Sequence, residues 1–104
     1  MKTLYLQLKA QWYEMIEAGV KEEEYREITD YWRSRIWRNQ FSTTHVCFIY
    51  TYTKRRMTFE VEKITIGRGN PEWGAPEDRN VFIIKFKYPA NELHRHTDKR
   101  LAYV

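Results

Sequence analysis

Between Met57 and Ile66 the apolar residues change phase. Met57, Phe59 and Val61 alternate at odd positions, and Ile64 and Ile66 then continue at even ones. Side chains along a strand point to opposite faces in turn, so a change of parity within one strand needs an extra residue. The pattern predicts a β-bulge near Glu62–Lys63. Bulges bend strands, and small closed barrels need bent strands.

The rest of the chain supplies partners for such a sheet. Leu4, Leu6 and Leu8 alternate with Tyr5 and Gln7 and predict a first strand. Residues from about Ala10 to Ala18 read as a helix, with Trp12, Met15 and Ile16 as its apolar stripe. Gly19 stands where a helix ends in a left-handed residue. A second strand is predicted from about Glu22 to Ile28. Thr29 or Asp30 then caps a second helix over about Tyr31–Arg38, with Trp32 and Ile36 on one face.

Val46–Tyr52 and Met57–Ile66 read as strands joined by the tip Thr53–Arg56, although no Asn-Gly or Asp-Gly turn is present. The longest loop signal is 67–76, with three glycines and two prolines in ten residues. Val81–Lys87 is a last clear strand, apolar on both faces and therefore expected in a central position. After Pro89 the chain turns polar and basic before ending Leu101-Ala102-Tyr103-Val104. Five or six strands and two early helices make a single α+β domain over residues 1–104, a mixed, curved sheet closing on itself.

With 104 residues the chain buries roughly two-thirds of its unfolded surface, enough for one core without staples. The single cysteine, Cys47, lies in an apolar run and reads as a core thiol rather than a nucleophile. No apolar run approaches the ~20 residues of a membrane helix. The first nine residues lack the apolar stretch of a signal peptide, so a cytoplasmic protein is expected. Net charge is +4, unevenly spread: residues 1–30 carry four Lys/Arg against seven Asp/Glu, and 31–104 carry fourteen against seven. A basic body favours an anionic partner.

Chemistry concentrates in Gly19-Val20-Lys21-Glu22-Glu23-Glu24-Tyr25-Arg26, which has the form G-x-K-x-x-E-x-R. Alternation puts Glu24 and Arg26 on one strand face, near enough to pair. One reading is an ion-pair ladder on the surface of an edge strand, worth little to stability. The other is a pocket in which Lys21 and Arg26 receive phosphate or base acceptors and Glu24 orients them or accepts from a base amino group.

This motif, set between a first helix and a second strand in a chain of this size, resembles the signature of the ASCH family, relatives of the PUA group of RNA-binding domains. The resemblance implies a PUA-like β-barrel that binds RNA or a nucleotide in a cleft lined by Lys21, Glu24 and Arg26. Some ASCH-like bacterial proteins are amidohydrolases that deacetylate acetylcytidine. They place a threonine three residues beyond the lysine, where this chain has Glu24. The resemblance therefore also implies an alternative: a small hydrolase of a modified nucleoside or RNA, in which Lys21 and a glutamate activate water. In that alternative Lys21 and Glu24 are catalytic, with Glu60, Glu62 and Glu72 as candidates for a further carboxylate. A protein-interaction domain is the third reading.

Trp73, in the Gly/Pro loop, either folds back onto the sheet or stacks a base at the cleft mouth. Lys54, Arg55 and Arg56 at a hairpin tip, with Arg33, Arg35 and Arg38 of the second helix, are either solvated charge or a phosphate track. Gly67-Arg68-Gly69 is not a dinucleotide fingerprint, because position 72 is Glu. His94 and His96 make a poor metal site, and His45 reads as structural. No cofactor and no metal are expected.

Overall fold

The computed structural model describes residues 2–89. The expectations for His94, His96 and the chain end lie outside the described residues. The elements are β1 (Thr3–Leu8), α1 (Ala10–Glu17), β2 (Glu23–Arg26), α2 (Asp30–Trp32) running on as a π-helical stretch (Arg33–Trp37), β3 (His45–Tyr50), β4 (Arg56–Gly67), a 3₁₀ turn (Pro71–Trp73) and β5 (Val81–Lys87). They form one mixed five-stranded sheet of order β1-β3-β4-β5-β2. Only β1 and β3 pair in parallel; the other neighbours are antiparallel.

The expected barrel closure is not what the ladder makes. β1 and β2 are the two edges of an open sheet. The predicted bulge is present, as a register shift between Val61 and Lys63 in the pairing of β4 with β5. It lets Phe59 and Ile64, of opposite parity, both enter the main core.

β5 is an interior strand with two buried faces. Phe82, Ile84 and Phe86 join the main core with Leu6, Phe48 and Ile36. Val81 and Ile83 face a smaller cluster with Tyr25 and Ala75, against which Trp73 packs. The second cluster explains why β5 is apolar on both sides, and it carries the 67–76 loop.

Three local details differ from the sequence reading. In α1 the fully buried residues are Tyr13 and Ile16, while Trp12 is half-buried. Tyr13 packs edge-on against Tyr50. Thr29 caps α2 as expected, its hydroxyl oxygen accepting from the Trp32 amide at 3.2 Å. The following turn widens, with the Arg38 amide bonded to the Arg33 carbonyl at 3.0 Å. The widened turn brings Trp37 as well as Trp32 and Ile36 onto the core. The β3–β4 hairpin turns through Tyr52, which adopts a left-handed backbone (φ 63) where Asn or Gly is usual.

Candidate functional site

The G-x-K-x-x-E-x-R segment is built around a chain reversal. Gly19 takes φ 80, and the Val20 and Lys21 amides both donate to the Met15 carbonyl at 3.0 and 3.2 Å. Only a residue without Cβ enters that conformation cheaply. The reversal sends the Lys21 side chain inward, where it is completely buried. The Tyr88 hydroxyl, just past β5, lies 2.7 Å from the carbonyls of both Ile16 and Lys21 and ties the reversal to the sheet.

The Lys21 ammonium donates to the Trp73 carbonyl at 2.5 Å and meets Glu24 Oε1 at 3.0 Å. The rings of Tyr25 and Trp12 lie 4.9 and 5.3 Å from it. Burial lowers the Lys21 pKa from its ordinary value, and the Glu24 carboxylate opposes that shift. The other carboxylate oxygen of Glu24 accepts from Arg26 Nη1. Arg26 Nη1 also donates to the Tyr25 carbonyl at 2.7 Å, and Nη2 donates to the Gln7 carbonyl at 2.9 Å. Lys21, Glu24 and Arg26 thus form one relay from a fully buried cation, through a buried carboxylate, to a cation that keeps 17% of its side chain exposed.

The relay ends at a cleft of about 230 Å³ between the β1 and β2 edges. Glu24 and Arg26 lie in its wall with Trp12, Trp73, Gln7 and Leu8. The Lys21 side chain stands behind Glu24 rather than in the wall. The surface ion-pair ladder considered from the sequence is therefore not formed: two of its three members are buried.

Trp73 is placed by the loop. Asn70 Oδ1 accepts from the Glu72 amide at 2.9 Å, and the 3₁₀ turn stops at Gly74 in a left-handed conformation. The loop is pinned to β2 through Tyr25, whose hydroxyl accepts from the Asn70 amide at 3.0 Å and donates to Glu23 at 2.8 Å. Burial pushes the Tyr25 hydroxyl pKa well up. A Cβ on Gly69 would stand 2.6 Å from the Tyr25 ring, so bare backbone is needed for this docking. Trp73 thereby folds back onto the smaller cluster, and it also lines the cleft.

The other candidates are dispersed. Arg55 pairs with Glu17 at 2.9 Å and lies over the Tyr13 and Tyr50 rings. Lys54 and Arg56 are exposed beside it. The tip joins β1 where the Thr51 amide and hydroxyl donate to the Leu8 carbonyl at 3.0 and 2.7 Å, and Leu8 is part of the cleft wall. Arg33 is exposed, its guanidinium 6.0 Å from the Phe82 ring, and Arg35 covers Tyr31. Of the later glutamates, Glu62 meets Lys85 at 3.4 Å, Glu60 pairs across the sheet with His45 and Lys87, and Glu72 is exposed at the 3₁₀ turn. The carboxylate that reaches Lys21 is Glu24. Cys47 is buried in β3. Among the described residues no three metal-ligating side chains cluster, and no helix is long and apolar enough to cross a membrane.

Sequence reasoning missed Tyr25 and Tyr88 as anchors and Trp12 as a cleft wall. Tyr25 sits inside the motif, between Glu24 and Arg26, and Trp12 lies in α1 seven residues before Gly19. Compared with family models, with curated proteins and with solved structures, the chain matches none of them.

Proposed function

We propose that this chain is an ASCH-like, PUA-related module that binds RNA or a nucleotide in the cleft bordered by Glu24 and Arg26. The observation that carries the reading is the relay itself. Buried ion pairs contribute little net stability relative to apolar residues of the same size. Three linked charges that end at an aromatic-walled cleft are better suited to holding a carboxylate and a guanidinium in fixed orientation.

That pair is complementary to a nucleobase edge. Glu24 accepts from a base amino group, and Arg26 donates to a ring or carbonyl acceptor or to phosphate. Trp12 and Trp73 supply the faces on which a base stacks. The relay carries one net positive charge, and Lys54 and Arg56 lie at the hairpin that joins the cleft wall at Leu8. In this reading Arg26, reaching from β2 to β1, does the work that a closing ladder does in a barrel.

Lys21 acts here as a fixed charge behind the site. Its hydrogen bonds to Trp73 and Glu24 favour orientation of the cleft over activation of a water. A nitrogen-15 NMR titration with mixed-sequence single-stranded RNA tests the proposal. The indole N–H signals of Trp12 and Trp73 should shift saturably, while that of Trp37, stacked on Phe82 in the core, stays in place. Shifts confined to residues 52–56, or none at all, would defeat it.

A further inference from the structure

A second concavity, of about 180 Å³, adjoins the cleft. It is lined by Trp32, Pro76 and Val81, and it shares Tyr25, Arg26 and Gly74 with the first. Each space alone is smaller than the ~300 Å³ at which ligand pockets usually begin, and the two joined exceed it. We infer that they are the two compartments of one site, which takes a dinucleotide step of single-stranded nucleic acid with Arg26 under the linking phosphate. The inference rests on the nucleotide-binding reading of the cleft.

Four features carry it. Arg26 has five N–H donors, of which three are spent on Glu24, Tyr25 and Gln7. Two remain, the number a bidentate phosphate contact uses, and Arg26 lines both compartments. Trp32, half-buried, lies with its ring 5.3 Å from the Arg26 guanidinium carbon, so the second compartment has its own aromatic wall.

Glu27, which also borders the second compartment, is held by Arg79 through two hydrogen bonds of 2.9 and 2.6 Å. Arg79 also pairs with Asp78 at 2.8 Å, so its single positive charge is shared between the two carboxylates. The remaining lining of Trp32, Pro76 and Val81 suits a base rather than a phosphate, so a single nucleotide spread over both compartments is disfavoured. Finally, the sill between them is bare backbone. Gly74 has φ 101, and a Cβ there would come within 3.0 Å of the Trp12 ring.

The test is an equilibrium titration of the full chain with the four nucleoside 5′-monophosphates and the four matching homodinucleotides. At least one dinucleotide should bind about 5- to 150-fold tighter than its own mononucleotide, the worth of one further stacked base. In Trp32→Leu, which keeps apolar packing but removes the stacking face, that ratio should fall to near unity. A thermal melt verifies that the variant is folded, and the wild-type ratio stands without it. A mononucleotide that binds with no dinucleotide gain would overturn the two-compartment site and leave the cleft reading intact. A ratio that survives in folded Trp32→Leu would overturn the placement of the second base. No binding by either ligand would overturn both readings.

Discussion

Arg26 Nη2 donates to the Gln7 main-chain carbonyl at 2.9 Å, so a side chain of one edge strand, β2, bridges to the backbone of the other, β1. The same guanidinium is held by Glu24, and Glu24 by the buried Lys21. Edge bridging, cleft and relay are one piece of structure. Perturbing any member should therefore register in both stability and binding.

The relay predicts a large asymmetry in a double-mutant cycle. Glu24→Gln leaves the fully buried Lys21 ammonium without its counter-charge and should cost about 3–5 kcal/mol. Lys21→Met combined with Glu24→Gln removes both charges and should recover most of that loss. Chemical denaturation of the three variants checks this. Additive costs would mean that Lys21 and Glu24 do not interact as the 3.0 Å contact implies.

Alkaline stability should pass through a maximum. Burial lowers the Lys21 pKa below 10.5, so between the lowered value and 10.5 the unfolded chain binds more protons and stability rises with pH. Burial raises the hydroxyl pKa values of Tyr25 and Tyr13 above 10.0, and their contribution, complete below that pH, is lost above it. Urea midpoints from about pH 8 to about pH 11 should rise and then fall. The rising limb should vanish in Lys21→Met; if that limb persists, another group causes it.

The hairpin charges should act on RNA unequally. Arg55 is already paired with Glu17, whereas Lys54 and Arg56 are exposed. Replacing Lys54 and Arg56 with alanine should flatten the log K against log salt slope for single-stranded RNA by about 1.4, or about 0.7 per phosphate contact. The loss should be the same for every sequence. An unchanged slope would take the hairpin out of the interface.

Acetylcytidine should not be turned over. Lys21 hydrogen-bonds Trp73 and Glu24 behind the cleft wall, and Glu60, Glu62 and Glu72 lie elsewhere. Incubation of the purified protein with acetylcytidine, followed by chromatography, should show no cytidine above the protein-free control. Release that disappears in Lys21→Arg, whose guanidinium stays protonated, would instead establish a lysine-dependent hydrolase.

The elements set by local rules were legible in the sequence. The parity change in β4, the apolar faces of β5, the reversal at Gly19 and the Thr29 cap each depend on neighbours a few residues apart. Whether the sheet closes depends on how far β1 stands from β2, and no short pattern encodes that distance. The π-helical stretch at Arg33–Trp37 ends on Trp37, which stacks on Phe82, a contact 45 residues away in sequence. At the site, alternation placed Glu24 beside Arg26. It did not reveal that Lys21 is buried, because that depends on the 67–76 loop docking on Tyr25, with Asn70 and Tyr25 45 residues apart in sequence.

The central claim is that Arg26, oriented by Glu24, holds a nucleic-acid ligand in the cleft. Fluorescence anisotropy of a labelled, mixed-sequence single-stranded RNA against wild type and Arg26→Met, with near-UV circular dichroism to verify folding, tests it most directly. The account predicts saturable binding by wild type and a loss of about 10- to 100-fold in folded Arg26→Met, the worth of charge-assisted hydrogen bonds. Equal affinity in the two proteins, or no binding by wild type, would contradict it.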